Sequence, residues 1–234
     1  MKITVTQIQS SEDLEENKQL ILELLDSFGS NSDVVCFPEN STFIRVSNDT
    51  KLYGALEIQD PFFEAVAEKA SALNCAVNIG GVPLKEGEDL SNATLWIAPG
   101  ETPRVVYRKI HMFDVNVGGF KVCESASFKA GNELRVLNYK GWKFGFTICY
   151  DLRFSNIFNA YAEAGVDVVF VPAAFLVKTG EAHWQVLLRA RAIESQIYIV
   201  ASAQAGTHYD KSGDKSRKSY GHSMVVAPWG EVIF

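Results

Sequence analysis

The chain has 234 residues, 47% hydrophobic and 21% charged, and its 22 Lys and Arg against 28 Asp and Glu leave a formal charge of −6. That balance fits a globular chain long enough for a sizeable core, and the absence of a clustered basic face argues against nucleic acid as a partner. The longest apolar run, Val168 to Val177, is broken by Pro172 and is too short to span a bilayer. The first residues alternate like a strand and show no apolar targeting segment, which predicts a cytoplasmic protein with no membrane partner. Cys36, Cys75, Cys123 and Cys149 form no CxxC pair and have no His at ligand spacing, so neither a disulfide scaffold nor a structural zinc site is expected.

In chain order, Lys2 to Gln9 reads as a strand. A helix begins near Ser11, with Ile21, Leu24, Leu25 and Phe28 on one stripe. Asp33 to Phe37 suits a buried strand. Asp60-Pro61 starts a second helix, with Asp as N-cap and Pro in the first turn, and Phe63, Val66, Ala70 and Leu73 form its apolar face. Cys75 to Ile79 is a strand ending at Gly80-Gly81. Thr94 to Ala98 and Arg104 to Tyr107 form a hairpin, and Lys109 to Glu133 a long loop of the kind that often carries function. Arg135 to Tyr139 and Lys143 to Ile148 form another hairpin around Lys140-Gly141. Ser155 to Ala164 is a helix closed by Gly165, Val168 to Val171 a buried strand, and His183 to Ser195 a helix. Strands at Ile197 to Ala203 and Tyr220 to Val226 flank an exposed polar loop, Gln204 to Ser219, and Pro228-Trp229-Gly230 is a turn. Strands and helices alternate without a linker or repeat, which predicts one α/β domain over residues 1–234.

Three β-rich runs end in a reactive side chain: DVVCFPEN at Glu39, RVVYRKIHMFD at Lys109 and KFGFTICYDLRF at Cys149. Strand ends are where α/β folds open their sites. A thiol needs a base or a cation to become a nucleophile. Glu39 serves as that base if burial raises its pKa toward neutral. Lys109 stabilises thiolate and oxyanion, and the Tyr150 N–H adds a second oxyanion donor.

FPEN, YRKIHMFD and ICYDLRF, in that order, resemble the three signature segments of the nitrilase superfamily of carbon–nitrogen hydrolases. The resemblance implies a four-layer α-β-β-α sandwich and a Glu39-Lys109-Cys149 triad. It implies a second glutamate, Glu124 in CESASFKAG, that orients Lys109. Tyr150 after the cysteine, in place of Trp, and the stretch from AHWQVLLRARAIESQIYIV to SYGHSMVVAPWG point to the amidase branch that contains deaminated glutathione amidase and omega-amidase. The implied reaction is hydrolysis of a small carboxylated amide through a thioester, with deaminated glutathione the first substrate and 2-oxoglutaramate the second. The implied assembly is a homodimer or larger homo-oligomer, and no metal or organic cofactor is required. Two departures stand out. Ser155-Asn156 replaces the usual Pro-Glu, with Ser155 able to cap a helix, and the usual C-terminal extension is absent. A catalytically inactive interaction module of this fold is the alternative from another class.

The remaining candidates read as structural. Cys36 and Cys75 belong to core strands, and Cys123 has no partner. His111 and His183 lack the setting of a Cys-His protease. Arg153, Arg189, Arg191 and Glu194 read as structural ion-pair residues, Arg191 and Glu194 being three apart on a helix. His208, Lys211, Lys215, Arg217 and Lys218 read as a solvated surface, with the sharper alternative that one cation reaches a substrate carboxylate.

Overall fold

A computed structural model describes residues 1–46, 54–117 and 120–234. Its strands are β1 (Ile3–Val5), β2 (Gln7–Ile8), β3 (Val34–Phe37), β4 (Ala76–Glu86), β5 (Asp89–Ile97), β6 (Arg104–Arg108), β7 (Asp114–Val117), β8 (Phe120–Cys123), β9 (Val136–Tyr139), β10 (Trp142–Phe146), β11 (Val168–Phe170), β12 (Tyr198–Ala201), β13 (Ala203–Tyr209), β14 (Ser216–Tyr220) and β15 (Met224–Val226). The α-helices are α1 (Leu14–Phe28), α2 (Pro61–Leu73), α3 (Ser155–Glu163) and α4 (Val177–Ser195). One five-stranded sheet runs β1-β3-β4-β5-β6 and another β15-β12-β11-β10-β9. Among the described residues no helix is long and apolar enough to cross a membrane.

Strand alternation produces the layers, because successive side chains leave a strand on opposite faces. In β3, Val35 and Phe37 pack with Ile21 and Leu25 of α1 and Phe63 and Val66 of α2. Val34 and Cys36 face the other way, into a core shared with Phe144, Phe146, Val168 and Phe170 of the second sheet. In β11, Val169 turns from that core toward Phe158 of α3 and Trp184 and Leu188 of α4. The result is helices, sheet, sheet, helices: the expected α-β-β-α sandwich. Trp96 holds the two sheets together, with Tyr139, Phe144, Phe146 and Phe170 at centroid distances of 5.4 to 6.3 Å. Each such pair contributes about 0.5–1.5 kcal/mol beyond area burial.

Local signals hold where they are self-sufficient. The Asp60 side chain accepts from Phe62 N, and Pro61 opens α2. Asp13 caps α1, which starts at Leu14 rather than near Ser11. Five expectations are corrected. The first strand divides into β1 and β2, since Thr6 bonds Cys36 O and the chain then leaves the first sheet for β13. β4 runs on through Gly80-Gly81, and β5 begins at Asp89. The loop from Lys109 to Glu133 contains the β7–β8 ribbon and a 3₁₀ turn at Glu124–Ala126. Helix α4 begins at Val177, its interior Gly180 being required because a Cβ there would lie 2.2 Å from Tyr220 Cγ. Ser155 is the first residue of α3 and not a side-chain cap.

The supposed exposed loop at 204–219 is the β13–β14 ribbon. Lys211, Lys215 and Lys218 are exposed as expected, but Gln204, His208 and Ser219 are buried, the first two bonded to the N-terminal segment. Gln204 Oε1 accepts from Ser10 N and Gln204 Nε2 donates to Ser10 Oγ. His208, 1% exposed, sits between Ser10 O at 2.7 Å and Ser219 Oγ at 2.9 Å. This ribbon brings Arg217 over the cavity described below.

Candidate active site

The ends of β3, β6 and β10 open on one cavity of about 580 Å³. Glu39, Lys109, Glu124, Cys149 and Tyr150 all line it. Glu39 follows β3 by two residues, Lys109 directly follows β6, and Cys149 follows β10 by three.

Lys109, 2% exposed, is the hub. Its Nζ lies 3.0 Å from Glu39 Oε1 and 2.9 and 2.8 Å from the two Glu124 oxygens. Glu124 is fixed in turn, because Oε2 accepts from Phe113 N at 2.7 Å. Glu39 accepts from Ala174 N at 3.0 Å through Oε2. Asn92, which carries no sequence motif, was not among the expected residues. Its amide donates to Glu39 Oε1 at 3.1 Å and to Glu124 Oε1 at 3.0 Å, so one buried amide spaces both carboxylates.

Gly80 and Gly81 are not strand breakers here. Gly81 has φ +68, and a Cβ on it would lie 2.5 Å from Glu39 Cγ. A Cβ on Gly80 would lie 2.1 Å from Pro172 Cγ. The bulge in β4 at these glycines leaves the space that Glu39 occupies.

Cys149 sits at φ +49, a left-handed conformation that costs a non-Gly residue of order 1–3 kcal/mol and is held by its surroundings. Its N–H donates to Pro172 O at 2.9 Å. Asp151, fully buried, clamps the turn by accepting from Ile148 N, Tyr107 Oη and His111 N, each within 2.9 Å. Tyr150 stands in the first turn of the following 3₁₀ segment, where backbone N–H groups have no partner within the turn. His111 stacks on Phe154 and bonds Asp151, and His183 meets Arg153 at 3.3 Å. Neither lines the cavity with Cys149.

The electrostatics correct one expectation. Burial alone pushes Glu39 up, but the Lys109 ammonium and the adjacent Cys149 thiol outweigh it and hold the carboxyl below its ordinary 4.5. Burial and the Glu39 charge push the Cys149 thiol well above its ordinary 9.0. Burial works against the Lys109 charge, yet Glu124 and Glu39 raise it well above 10.5. The resting site therefore holds the Cys149 thiol, the Glu39 carboxylate and the Lys109 ammonium together.

Arg45, Arg153, Arg217 and Lys218 complete the cationic lining. Arg153 was expected in a structural ion pair. Instead it lies over the rings of Tyr150 at 5.6 Å and Phe175 at 5.5 Å. Arg191 does pair with Glu194, and Arg189 donates to Gly230 O.

A carbon-nitrogen hydrolase family profile matches residues 2–234. The chain is 36% identical to a deaminated glutathione amidase of Dictyostelium discoideum, over 99% of this chain and 82% of that one. It is 35% identical to the human deaminated glutathione amidase, over 99% and 72%. Among solved structures it superposes on the NitFhit protein of C. elegans with a TM-score of 0.87 at 35% identity, over 99% of this chain and 56% of that one. A CN-hydrolase superfamily protein of Xanthomonas campestris, with an arsenic adduct in its active site, gives a TM-score of 0.83 at 26% identity, over 100% and 85%.

Proposed function

This chain belongs to the carbon-nitrogen hydrolase family and is an amide-hydrolysing enzyme of it, and on that premise we propose that it hydrolyses the C–N bond of a small carboxylated amide, deaminated glutathione first, through a Cys149 thioester. The observation that carries the reading is the meeting of thiol, carboxylate and ammonium at one cavity, with Lys109 Nζ 3.0 Å from Glu39 Oε1 beside Cys149. The cationic lining of the cavity supports an acyl group that bears a carboxylate. Similarity to deaminated glutathione amidases supports that substrate. The amide of 2-oxoglutarate is the second reading, carried by the same lining.

In this mechanism the Cys149 sulfur attacks the amide carbon while its proton passes to Glu39. Lys109 and the Tyr150 N–H hold the oxyanion, an arrangement in which one donor is worth about 10²–10³ in rate. Glu39 returns the proton to the departing nitrogen, the amine leaves (cysteinylglycine from deaminated glutathione, ammonia from 2-oxoglutaramate), and the thioester remains. Water then gives its proton to Glu39 as it attacks the thioester, the C–S bond breaks as Glu39 passes that proton to sulfur, the carboxylic acid product leaves, and the Glu39 carboxylate and the Cys149 thiol are restored. Glu124 and Asn92 act by holding Lys109 and Glu39 in place.

Formation of 2-oxoglutarate from deaminated glutathione and from 2-oxoglutaramate, with Cys149→Ala as control, tests the reading. Preference for the first amide and loss of product in the variant are expected. Preference for the second reassigns the substrate. Product formation undiminished in Cys149→Ala removes the thioester. Gly81→Ala should lower kcat about 100-fold with secondary structure retained by circular dichroism, since misplacing a catalytic group by about 1 Å costs that much. An unchanged kcat in that variant would show that Glu39 does not need the space. Assembly as a homo-oligomer in the cytoplasm is part of the same reading, and Val186, Ile193, Trp229, Ile233 and Phe234 stand exposed as apolar surface to be covered. Sedimentation velocity at micromolar concentration decides it, a lone monomer being the contrary result.

A further inference from the structure

We propose that Arg217 is a positioning residue for the reaction: it fixes Ala174, whose N–H turns Oε2 of Glu39 toward the Cys149 thiol. This inference rests on the amidase reading and deepens it.

The segment after β11 runs past the reacting groups, and the β13–β14 ribbon holds it at successive carbonyls. Ala173 O accepts from Gln204 N at 2.9 Å, and Phe175 O accepts from Tyr220 N at 2.9 Å. Ala174 O, between them, accepts from a side chain instead, Arg217 Nη2 at 2.8 Å. Ala174 is 3% exposed, so its carbonyl would be a buried orphan without that donor. The other side of the residue serves the base, because Ala174 N–H donates to Glu39 Oε2 at 3.0 Å. The two peptide units share one Cα, so freeing the carbonyl loosens the N–H as well. Two residues earlier, Pro172 O accepts from Cys149 N at 2.9 Å. One short segment therefore registers base and nucleophile against each other. The ribbon that holds it is itself tied to Ser10 through Gln204 and His208.

The two oxygens of Glu39 are not equivalent. Oε1 accepts from Lys109 Nζ at 3.0 Å and from Asn92 Nδ2 at 3.1 Å, which occupies both of its lone pairs. Oε2 accepts from one N–H, that of Ala174, and keeps a lone pair for the thiol proton. As the S–C bond forms, the S–H bond breaks. Its proton goes to Oε2, and the carbonyl π electrons go to the oxygen that Lys109 and the Tyr150 N–H hold. A base displaced by about 1 Å from this line loses much of the benefit of proximity. Beyond its burial, the groups that act on Glu39 are Lys109, Cys149 and Arg217, with Glu124 across the Asn92 amide. Arg217 thus favours the Glu39 carboxylate through Ala174 and by its charge.

Arg217→Met and Arg217→Lys are compared with wild type on three amides, with melting curves to verify folding. A neutral primary amide is read as ammonia, and deaminated glutathione and 2-oxoglutaramate are read as 2-oxoglutarate. Alkylation of Cys149 by iodoacetamide, followed by peptide mass spectrometry, needs no substrate. Arg217→Met should lower kcat roughly 10- to 100-fold on all three amides. The acid limb, set by a Glu39 value below 4.5, should move to higher pH. Alkylation at neutral pH should slow roughly tenfold or more, since an uncharged reagent still needs the base. Arg217→Lys keeps a charge and a donor without the fork and should recover part of each loss. A loss confined to KM and to the two carboxylated amides makes Arg217 a substrate contact and overturns the positioning role. An acid limb and an alkylation rate like those of wild type overturn it too. If folded wild type hydrolyses none of the three amides, the amidase reading falls, and the alkylation rates still decide whether Arg217 positions Glu39. Should Arg217→Met fail to fold, Arg217→Lys is read by the same criteria.

Discussion

Glu39→Gln is expected to lower the rate of amide hydrolysis by about 10²- to 10⁴-fold, the range set by loss of a general base. The resting site explains why the base is needed. Cys149 is held as a thiol well above 9.0 by burial and by the Glu39 charge, so little thiolate exists at neutral pH. Glu39 is ionised because Lys109 and the thiol overcome its burial. The proton therefore moves to Glu39 only as negative charge leaves sulfur for the carbonyl oxygen that Lys109 holds. The sign of the pH dependence follows. Protonating Glu39 stops the reaction, and its value lies below 4.5, so kcat/KM should stay level as pH falls to that point. At the other end, thiol ionisation produces no change until above 9.0. In Glu39→Gln the acid limb should vanish and the residual rate should climb with pH as thiolate forms. The Gln amide has no good placement, since Oε1 faces the Lys109 and Asn92 donors and Oε2 faces Ala174 N–H. A donor against a donor costs about 1–3 kcal/mol, which a melting curve reads separately from the rate. A rate within tenfold of wild type, with the same pH profile, would remove Glu39 from the base role.

What could be read from the chain depended on whether the cause was local. The α2 start at Asp60-Pro61 and the stripe of Ile21 and Leu25 in α1 are decided by neighbours in sequence, and both were legible. The three strand-end motifs named Glu39, Lys109 and Cys149, and the structure brings them to one cavity. Gly80-Gly81 read as a stop because their true reason is tertiary: Glu39 and Pro172 press against them. The ribbon of β13 and β14 read as solvated loop because its buried side are polar residues, Gln204, His208 and Ser219, satisfied by Ser10 from the far end of the chain. Hiding that ribbon also hid Arg217. Asn92 left no signal, since a lone Asn in a strand announces nothing until two carboxylates converge on it. The direction of the Glu39 shift failed for the same reason. Burial is foreseeable from FPEN alone, but the ammonium that reverses its effect arrives from 70 residues away.

Lys109→Met should cost at least about 10³-fold in kcat, because it removes both the oxyanion's cation and the charge that keeps Glu39 ionised. It should also destabilise the fold by about 3–5 kcal/mol, the usual result of stripping the partner from a buried charge. The geometry makes the second effect specific. Without Nζ, Glu39 and Glu124 face each other across a single Asn92 amide, with no cation at 2.8–3.0 Å. Two buried carboxylates so placed do not both stay ionised, and one takes up a proton. The Glu39 value then rises from below 4.5, so the residual activity of the variant should fall off on the acid side at higher pH than in wild type. The linkage has a second arm. The folded value of Lys109 lies above 10.5, so its contribution to stability is complete below 10.5 and is lost as pH rises through the folded value. The gap in melting temperature between wild type and Lys109→Met should therefore be open at neutral pH and narrow only in strong alkali. Lys109→Arg separates the two roles: the charge is retained, so stability should largely return, while a planar fork in a hub built for one ammonium should leave kcat low. A Lys109→Met protein that melts and turns over like wild type would mean that the ion pair neither holds the site nor serves the reaction.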